Sequence, residues 1–149
     1  MKADFYHLQK QTLEEVLPKL LDKAYETGKK IVLRIGNEER VEFINSMLWT
    51  FDEFSFLPHG SKKDGNAPLQ PIWLTSGDDN PNNADFLFLI DGASINPSEF
   101  ESFERVFNIF DGNSEEALVQ ARSLWKTLKE HDIASSYWQQ ENGKWVNKG

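Results

Sequence analysis

Residues 86–92 read Phe86-Leu87-Phe88-Leu89-Ile90-Asp91-Gly92. The apolar run is too short for a core helix and too unbroken for a strand with one wet face. A strand buried on both sides has this composition, and such strands belong to parallel sheets covered by helices on both faces. Asp91-Gly92 then reads as the turn that ends it. Working outward, Lys30-Ile31-Val32-Leu33-Arg34-Ile35 before Gly36, Pro71-Ile72-Trp73-Leu74-Thr75, and Arg105-Val106-Phe107-Asn108-Ile109-Phe110 before Asp111-Gly112-Asn113 read as further strands. Ala3 to Leu8 is a short extended opening with two aromatic residues.

Helical patterns separate these strands. Thr12 and Glu15 form a T-x-x-E capping box ahead of Leu13, Val16, Leu17, Leu20, Leu21 and Ala24, with Gly28 as the stop. Pro18 lies inside that pattern and predicts a kink or a later true start. A second helix spans about Glu38 to Trp49, with Val41, Ile44, Met47 and Leu48 on one face. A third runs from Ser114 to about His131, where Ser114, Glu115 and Glu116 suit a helix N-terminus. The stretches 61–70 and 76–83 are loop-like, and Asn142-Gly143 between Tyr137–Gln140 and Lys144–Val146 signals a hairpin. Strands alternating with helices imply an α/β fold in three layers with a largely parallel sheet, as one domain over residues 1–149.

Composition bounds the function. Absence of cysteine excludes a disulfide framework, thiolate metal sites and cysteine nucleophiles. No apolar run approaches the roughly 20 residues needed to span a bilayer, and Met1 to Tyr6 has no secretory apolar core, so a cytoplasmic protein is expected. With 16 Lys+Arg against 24 Asp+Glu the net charge is −8, which argues against direct binding to DNA through a basic face.

No motif carries catalysis. Phe86–Asp91 has the form of a Walker B strand, the one feature that suggests a divergent nucleotide-binding enzyme. Neither Gly28-Lys29-Lys30 nor Gly60-Ser61-Lys62-Lys63 supplies the glycine-rich loop that must cradle the phosphates, and no dinucleotide fingerprint is present. His7, His59 and His131 lack metal-ligand spacing, and Asp78-Asp79 sits in a polar turn. No cofactor and no metal is expected.

The third helix holds the local exception. At about 100° per residue, Ala117, Leu118, Ala121, Leu124, Trp125 and Leu128 fill one arc, Arg122, Lys126 and Lys129 fill the next, and Trp125 stands on the border. Such a border suits a ligand with both a carboxylate and an apolar ring. It equally suits a solvated flank whose cations lie near the helix C-terminus.

Asp4-Phe5-Tyr6, Leu48-Trp49 followed by Ser55-Phe56-Leu57-Pro58-His59, and Arg122 with Trp125-Lys126 resemble, in order and spacing, the chi-subunit family of bacterial DNA polymerase III. The resemblance implies an α/β fold like that of nucleotide-binding proteins but without the phosphate-binding loop. It implies a non-catalytic accessory subunit of a DNA-directed DNA polymerase, linking the clamp loader to single-stranded DNA-binding protein (SSB) by holding its acidic C-terminal tail, which ends in Pro-Phe. Arg122, Trp125 and Lys126 match the family's tail-binding positions, and Lys129 extends the same stripe. Trp49 and Phe56 match positions at the contact with the partner subunit psi, and Leu57, next to Pro58, is expected to join them in an apolar surface for a clamp-loader or helicase-type partner. A generic adaptor for a different acidic peptide would use the same helix. Two departures stand out: Leu118 replaces an expected basic residue one turn before Arg122, and a Trp138/Trp145 hairpin enriches the C-terminal part.

Overall fold

The computed structural model describes residues 1–51 and 57–149. Their strands are β1 (Lys2–Leu8), β2 (Ile31–Ile35), β3 (Gly60–Ser61), β4 (Ile72–Thr75), β5 (Phe86–Ile90), β6 (Arg105–Asp111), β7 (Ala134–Glu141) and β8 (Lys144–Asn147). The helices are α1 (Leu13–Tyr25), α2 (Glu38–Thr50) and α3 (Glu115–Glu130). One sheet in the order β3-β4-β2-β5-β6-β1-β7-β8 holds every strand. All neighbours pair in parallel except β7 and β8.

Side-chain alternation divides the core between two faces. Ile31, Leu33 and Ile35 of β2, Phe86, Phe88 and Ile90 of β5, and Phe107 and Ile109 of β6 pack with the apolar sides of α1 and α2. Val32, Leu87, Leu89, Val106 and Phe110 point the other way, against α3 and the segment carrying Ile95, Phe100 and Phe103. Every residue of β2 and β5 is buried, so the unbroken apolar run is explained by cover on both sides.

Local signals place the element ends. The Thr12 side chain accepts from the Glu15 amide and Glu15 reaches back to the Thr12 amide, so α1 starts at Leu13. Pro18 does not delay that start: the helix continues through it to Tyr25, with the proline buried. The capping box fixes the first turn ahead of it, and the proline forgoes the bond that an N–H there would have made to the Glu14 carbonyl. Asn142 (φ 53°) and Gly143 (φ 78°) occupy the left-handed region at the β7–β8 turn, as a type I′ hairpin requires. Three short elements escape the sequence reading: the two-residue edge strand β3, at the start of the stretch read as loop, and 3₁₀ turns at Ala67–Leu69 and Pro97–Glu99.

Arg34 is the one charged residue of the two fully buried strands. Its guanidinium is bidentate to Glu99 at 2.8 and 3.3 Å and also donates to the Ser94 carbonyl at 2.9 Å. This pair pins the 94–99 segment over the second face. Burial pushes the Glu99 carboxyl up, but the Arg34 hydrogen bond, the Asn96 amide and the Arg34 charge together outweigh it and hold the group below its ordinary range.

Gly36 ends β2 where the chain passes against the turn after β5. A Cβ there would overlap the Asp91 carbonyl oxygen and lie 2.6 Å from the Ala93 amide nitrogen, both backbone atoms that cannot swing aside. Gly36→Ala is therefore expected to destabilise by about 1–3 kcal/mol, lowering Tm by roughly 3–10 °C in a thermal melt. An unchanged Tm would show that the two turns separate freely.

Candidate functional site

At the C-terminal edge of the parallel strands, where α/β folds place their ligands, β1, β5 and β6 open into a cleft of about 660 Å³. The starts of α1 and α3 border it, and each has one amide held by a capping side chain. Thr12 caps α1, and the Ser114 hydroxyl accepts from the Ala117 amide of α3 at 3.2 Å. The charged lining consists of Glu14, Asp91, Asp111 and Glu116 against Lys10 and Arg40. Arg40 spends its guanidinium on Glu14 (3.1 Å) and Asp91 (3.2 Å). Asp91, the carboxylate of the Walker-B-like strand, is thus the partner of an arginine at a left-handed turn, φ 52° followed by Gly92 at 84°. With four carboxylates against two cations, the cleft opposes the binding of a polyphosphate.

The other polar residues singled out from the sequence are structural. Asp79 accepts from the Trp73 indole at 2.8 Å and from the Thr75 hydroxyl, which closes the turn. His59 is buried, with its Nδ1 2.6 Å from the Leu57 carbonyl and its Nε2 2.9 Å from the Asn45 carbonyl. His131 Nδ1 lies 2.9 Å from the Thr127 carbonyl at the end of α3. No group of three or more metal-ligating side chains occurs among the described residues.

The α3 stripe takes the form that helical geometry predicts. Ala121 and Leu128 are fully buried, while Ala117, Leu118, Leu124 and Trp125 pack on the second-face core. Arg122, Lys126 and Lys129 are exposed. Among the described residues none of the three forms an ion pair. Trp125 is half-buried, with its ring edge-on to Phe5 at 5.3 Å and to Tyr137 at 6.1 Å. Tyr137 comes from β7, opposite Phe5 on β1 in the register. Burial pushes its phenol up, and the nearby Arg122 guanidinium opposes that shift. Beside them the chain past β8 stays paired to β7, the Lys148 amide donating to the Tyr137 carbonyl at 2.7 Å. A Cβ on Gly149 would lie 3.9 Å from the Trp125 ring. Tyr137 and Gly149 therefore extend a surface of which the helix alone shows one side, and fully buried Phe5 supports Trp125 from beneath.

The second predicted surface divides. Trp49 is 45 % exposed at the end of α2, with its ring 4.0 Å from that of His59. Leu57 is 1 % exposed and belongs to the core, so it supports this region from beneath and does not present itself to a partner. Phe56 lies outside the described residues.

Comparison with known proteins gives concordant results. A family model described as "DNA polymerase III chi subunit, HolC" matches residues 1–136. A protein of Rickettsia prowazekii named "Probable DNA polymerase III subunit chi" is 34 % identical over 90 residues, covering 60 % of this chain and just over half, 54 %, of its own length. The "DNA polymerase III subunit chi" of Haemophilus influenzae is 27 % identical over 133 residues, 85 % of this chain and 89 % of that one.

His7, on the same face as Phe5, supplies a stability signature. The Tyr137 hydroxyl lies 2.6 Å from its Nδ1, and the Gln139 side-chain amide nitrogen, a donor, lies 3.3 Å from the same atom, an arrangement that suits a neutral ring with its proton on Nε2. Burial lowers its affinity for a second proton, against the opposing Asp111 carboxylate. The unfolded chain therefore takes up that proton first, and stability present above about pH 6.5 is lost as pH falls through the folded value. Thermal melts at about pH 7.5 and about pH 5.5 should show a lower Tm in acid, and His7→Gln should flatten the difference. The depressed carboxyls Glu14, Asp64, Asp79 and Glu99 act only near and below about pH 4 and do not share this window. Equal acid sensitivity in His7→Gln would remove His7 from the account.

Proposed function

This chain belongs to the chi-subunit family of DNA polymerase III, and we propose that it is a non-catalytic, cytoplasmic adaptor that holds the acidic C-terminal tail of SSB on α3 and a clamp-loader subunit at Trp49. One domain over residues 1–149 would carry both contacts. A single observation supports the tail assignment most strongly. In a chain of net charge −8, three exposed cations, none ion-paired among the described residues, flank a half-buried indole. Arg122 or Lys126 would pair with the tail's terminal carboxylate, and its last aromatic ring would pack beside Trp125, where Phe5 and Tyr137 fix the indole. Lys129 adds to the attraction of the acidic residues before it. With Leu118 in place of a further cation, binding depends on fewer charges and is modest.

Absence of catalysis is part of the proposal. The cleft that a nucleotide would need is acidic, and its arginine is already paired. Psi, or another clamp-loader or helicase-type subunit, is the partner proposed for Trp49, whose 45 % exposure leaves ring surface to cover.

Titration with an acidic peptide ending in Pro-Phe tests the tail site. Lys126→Glu should weaken binding about 10- to 100-fold, and raising the salt should weaken the wild type as well. Unchanged binding by a folded Lys126→Glu variant would make the stripe a solvated flank. A pull-down from cell lysate then separates SSB from any other acidic partner. For the second surface, Trp49→Ala should stay folded, with a Tm within a few degrees of wild type, yet lose its clamp-loader partner in co-purification. An unfolded variant would return Trp49 to the core.

A further inference from the structure

The hairpin β7–β8 is almost wholly outside the 1–136 stretch that the family model matches, and it builds a second surface on the opposite face of the sheet from α3. Trp138 lies parallel to Tyr6 at 6.4 Å, and its indole donates to Asp4 at 3.0 Å. Trp145 of β8 turns back and meets the Tyr6 ring edge-on at 5.0 Å. Burial, with the Asp4 charge adding to it, raises the Tyr6 phenol to about 12, which shows how far the hairpin removes this corner from water. Between the hairpin and α1 remains a groove of about 170 Å³.

Its lining has a definite chemistry. Val16 and Leu20 of α1, both buried, form the apolar floor, and half-buried Trp145 forms the far wall. Lys19 and Lys23 stand on the rim, one helical turn apart on the same flank. Among the described residues neither lysine makes an ion pair. Glu15, one turn before Lys19, has its carboxylate turned back to cap Thr12. No carboxylate lines the groove, whereas the larger cleft at the strand ends has four. In an acidic protein this is a second place where unpaired cations border an aromatic, apolar depression.

We propose that this groove docks a short acidic peptide segment, which seats one apolar side chain on Val16, Leu20 and Trp145 and sets its carboxylates on Lys19 and Lys23. A nucleic-acid strand fits less well. It would continue past two cations onto a surface of net negative charge, and the groove has no basic track along which a backbone could run. The site is independent of α3 and does not need a terminal carboxylate, because its cations sit along a rim and not at a closed end. A protein with both sites can hold two acidic segments at once, one on each face of the sheet, and each strengthens the other's retention by effective concentration.

The test uses the full chain, labelled with ¹⁵N, and the peptide Asp-Glu-Asp-Leu-Glu-Asp blocked at both ends, so that no terminal carboxylate is offered to α3. The indole N–H of Trp145 should shift on titration. Lys19→Glu combined with Lys23→Glu should weaken binding at least about tenfold, the charge-neutral double alanine variant less so, and Lys126→Glu should leave it unchanged. Both lysines are exposed, so the fold tolerates these changes, and circular dichroism checks that it has. No shift at Trp145, or binding that is lost in Lys126→Glu instead, overturns the proposal. So does an oligothymidylate that shifts Trp145 and competes with the peptide, which would make the groove a nucleic-acid contact. Failure here leaves the α3 site untouched, since that site is read from a different peptide end and different residues.

Discussion

The constraint on which the rest of the molecule depends is the complete burial of β2 and β5. Parallel strands buried on both faces cannot persist with one wet side, so apolar cover has to exist above and below them. α1 and α2 take one face, and α3 with the Arg34-pinned 94–99 segment takes the other. The three helical crossovers each skip at least one strand, and the one through α3, from β6 to β7, leaves β1 between those two. That position sets Phe5 and Tyr6 under both proposed peptide surfaces, one residue on each face. Two adjacent residues of one strand thus support chemistry on opposite sides of the protein.

Covering the second face is a lighter task for α3 than covering the first is for α1. α1 buries Val16, Leu17, Pro18, Leu20, Leu21 and Ala24, whereas α3 fully buries only Ala121 and Leu128. A helix so placed keeps a wide exposed arc, and its border residues stay half in water. Trp125 is such a residue, held by edge-on contacts to Phe5 and Tyr137 and still reachable from outside. An indole ordered in this way meets a ligand with little rotamer entropy left to lose. The acidic cleft at the strand ends lacks comparable preparation, because its arginine is already held by Glu14 and Asp91.

Much of this was legible in the sequence, for reasons that differ from element to element. The Phe86–Ile90 run, the Thr12/Glu15 box and the Asn142-Gly143 turn are local patterns whose physics is complete within a few residues, and each appears in the fold at its expected place. The α3 stripe was legible because helical spacing alone sorts Arg122, Trp125 and Lys126 onto one border. The later start that Pro18 allowed does not occur, because the fixed capping box and the buried helix face outweigh the proline's preference. The partners of Trp125 could not be read, because Phe5, Tyr137 and Gly149 reach it through sheet register, which no sequence window contains. Leu57 was misassigned for a related reason. A short apolar motif next to a proline does not say which of its members faces inward, and Leu57 does.

The overall charge of −8 looks at first like an obstacle to binding acidic partners, yet it sharpens the choice among them. At physiological ionic strength charges are screened beyond about 8 Å, so a docked peptide responds chiefly to the few groups around it. A short acidic segment can satisfy itself on Arg122, Lys126 and Lys129, or on Lys19 and Lys23, without reaching the acidic remainder. A long polyanion such as DNA cannot, because its backbone charge continues past either patch onto repulsive surface. Small cationic islands on an acidic body therefore discriminate by the length of the negative stretch, as well as by its sign. The penalty for the wrong partner comes from residues that touch neither ligand, which is how repulsion builds specificity at no cost to the favoured contact. A strongly basic protein with the same two islands would lose that discrimination and bind single-stranded DNA directly.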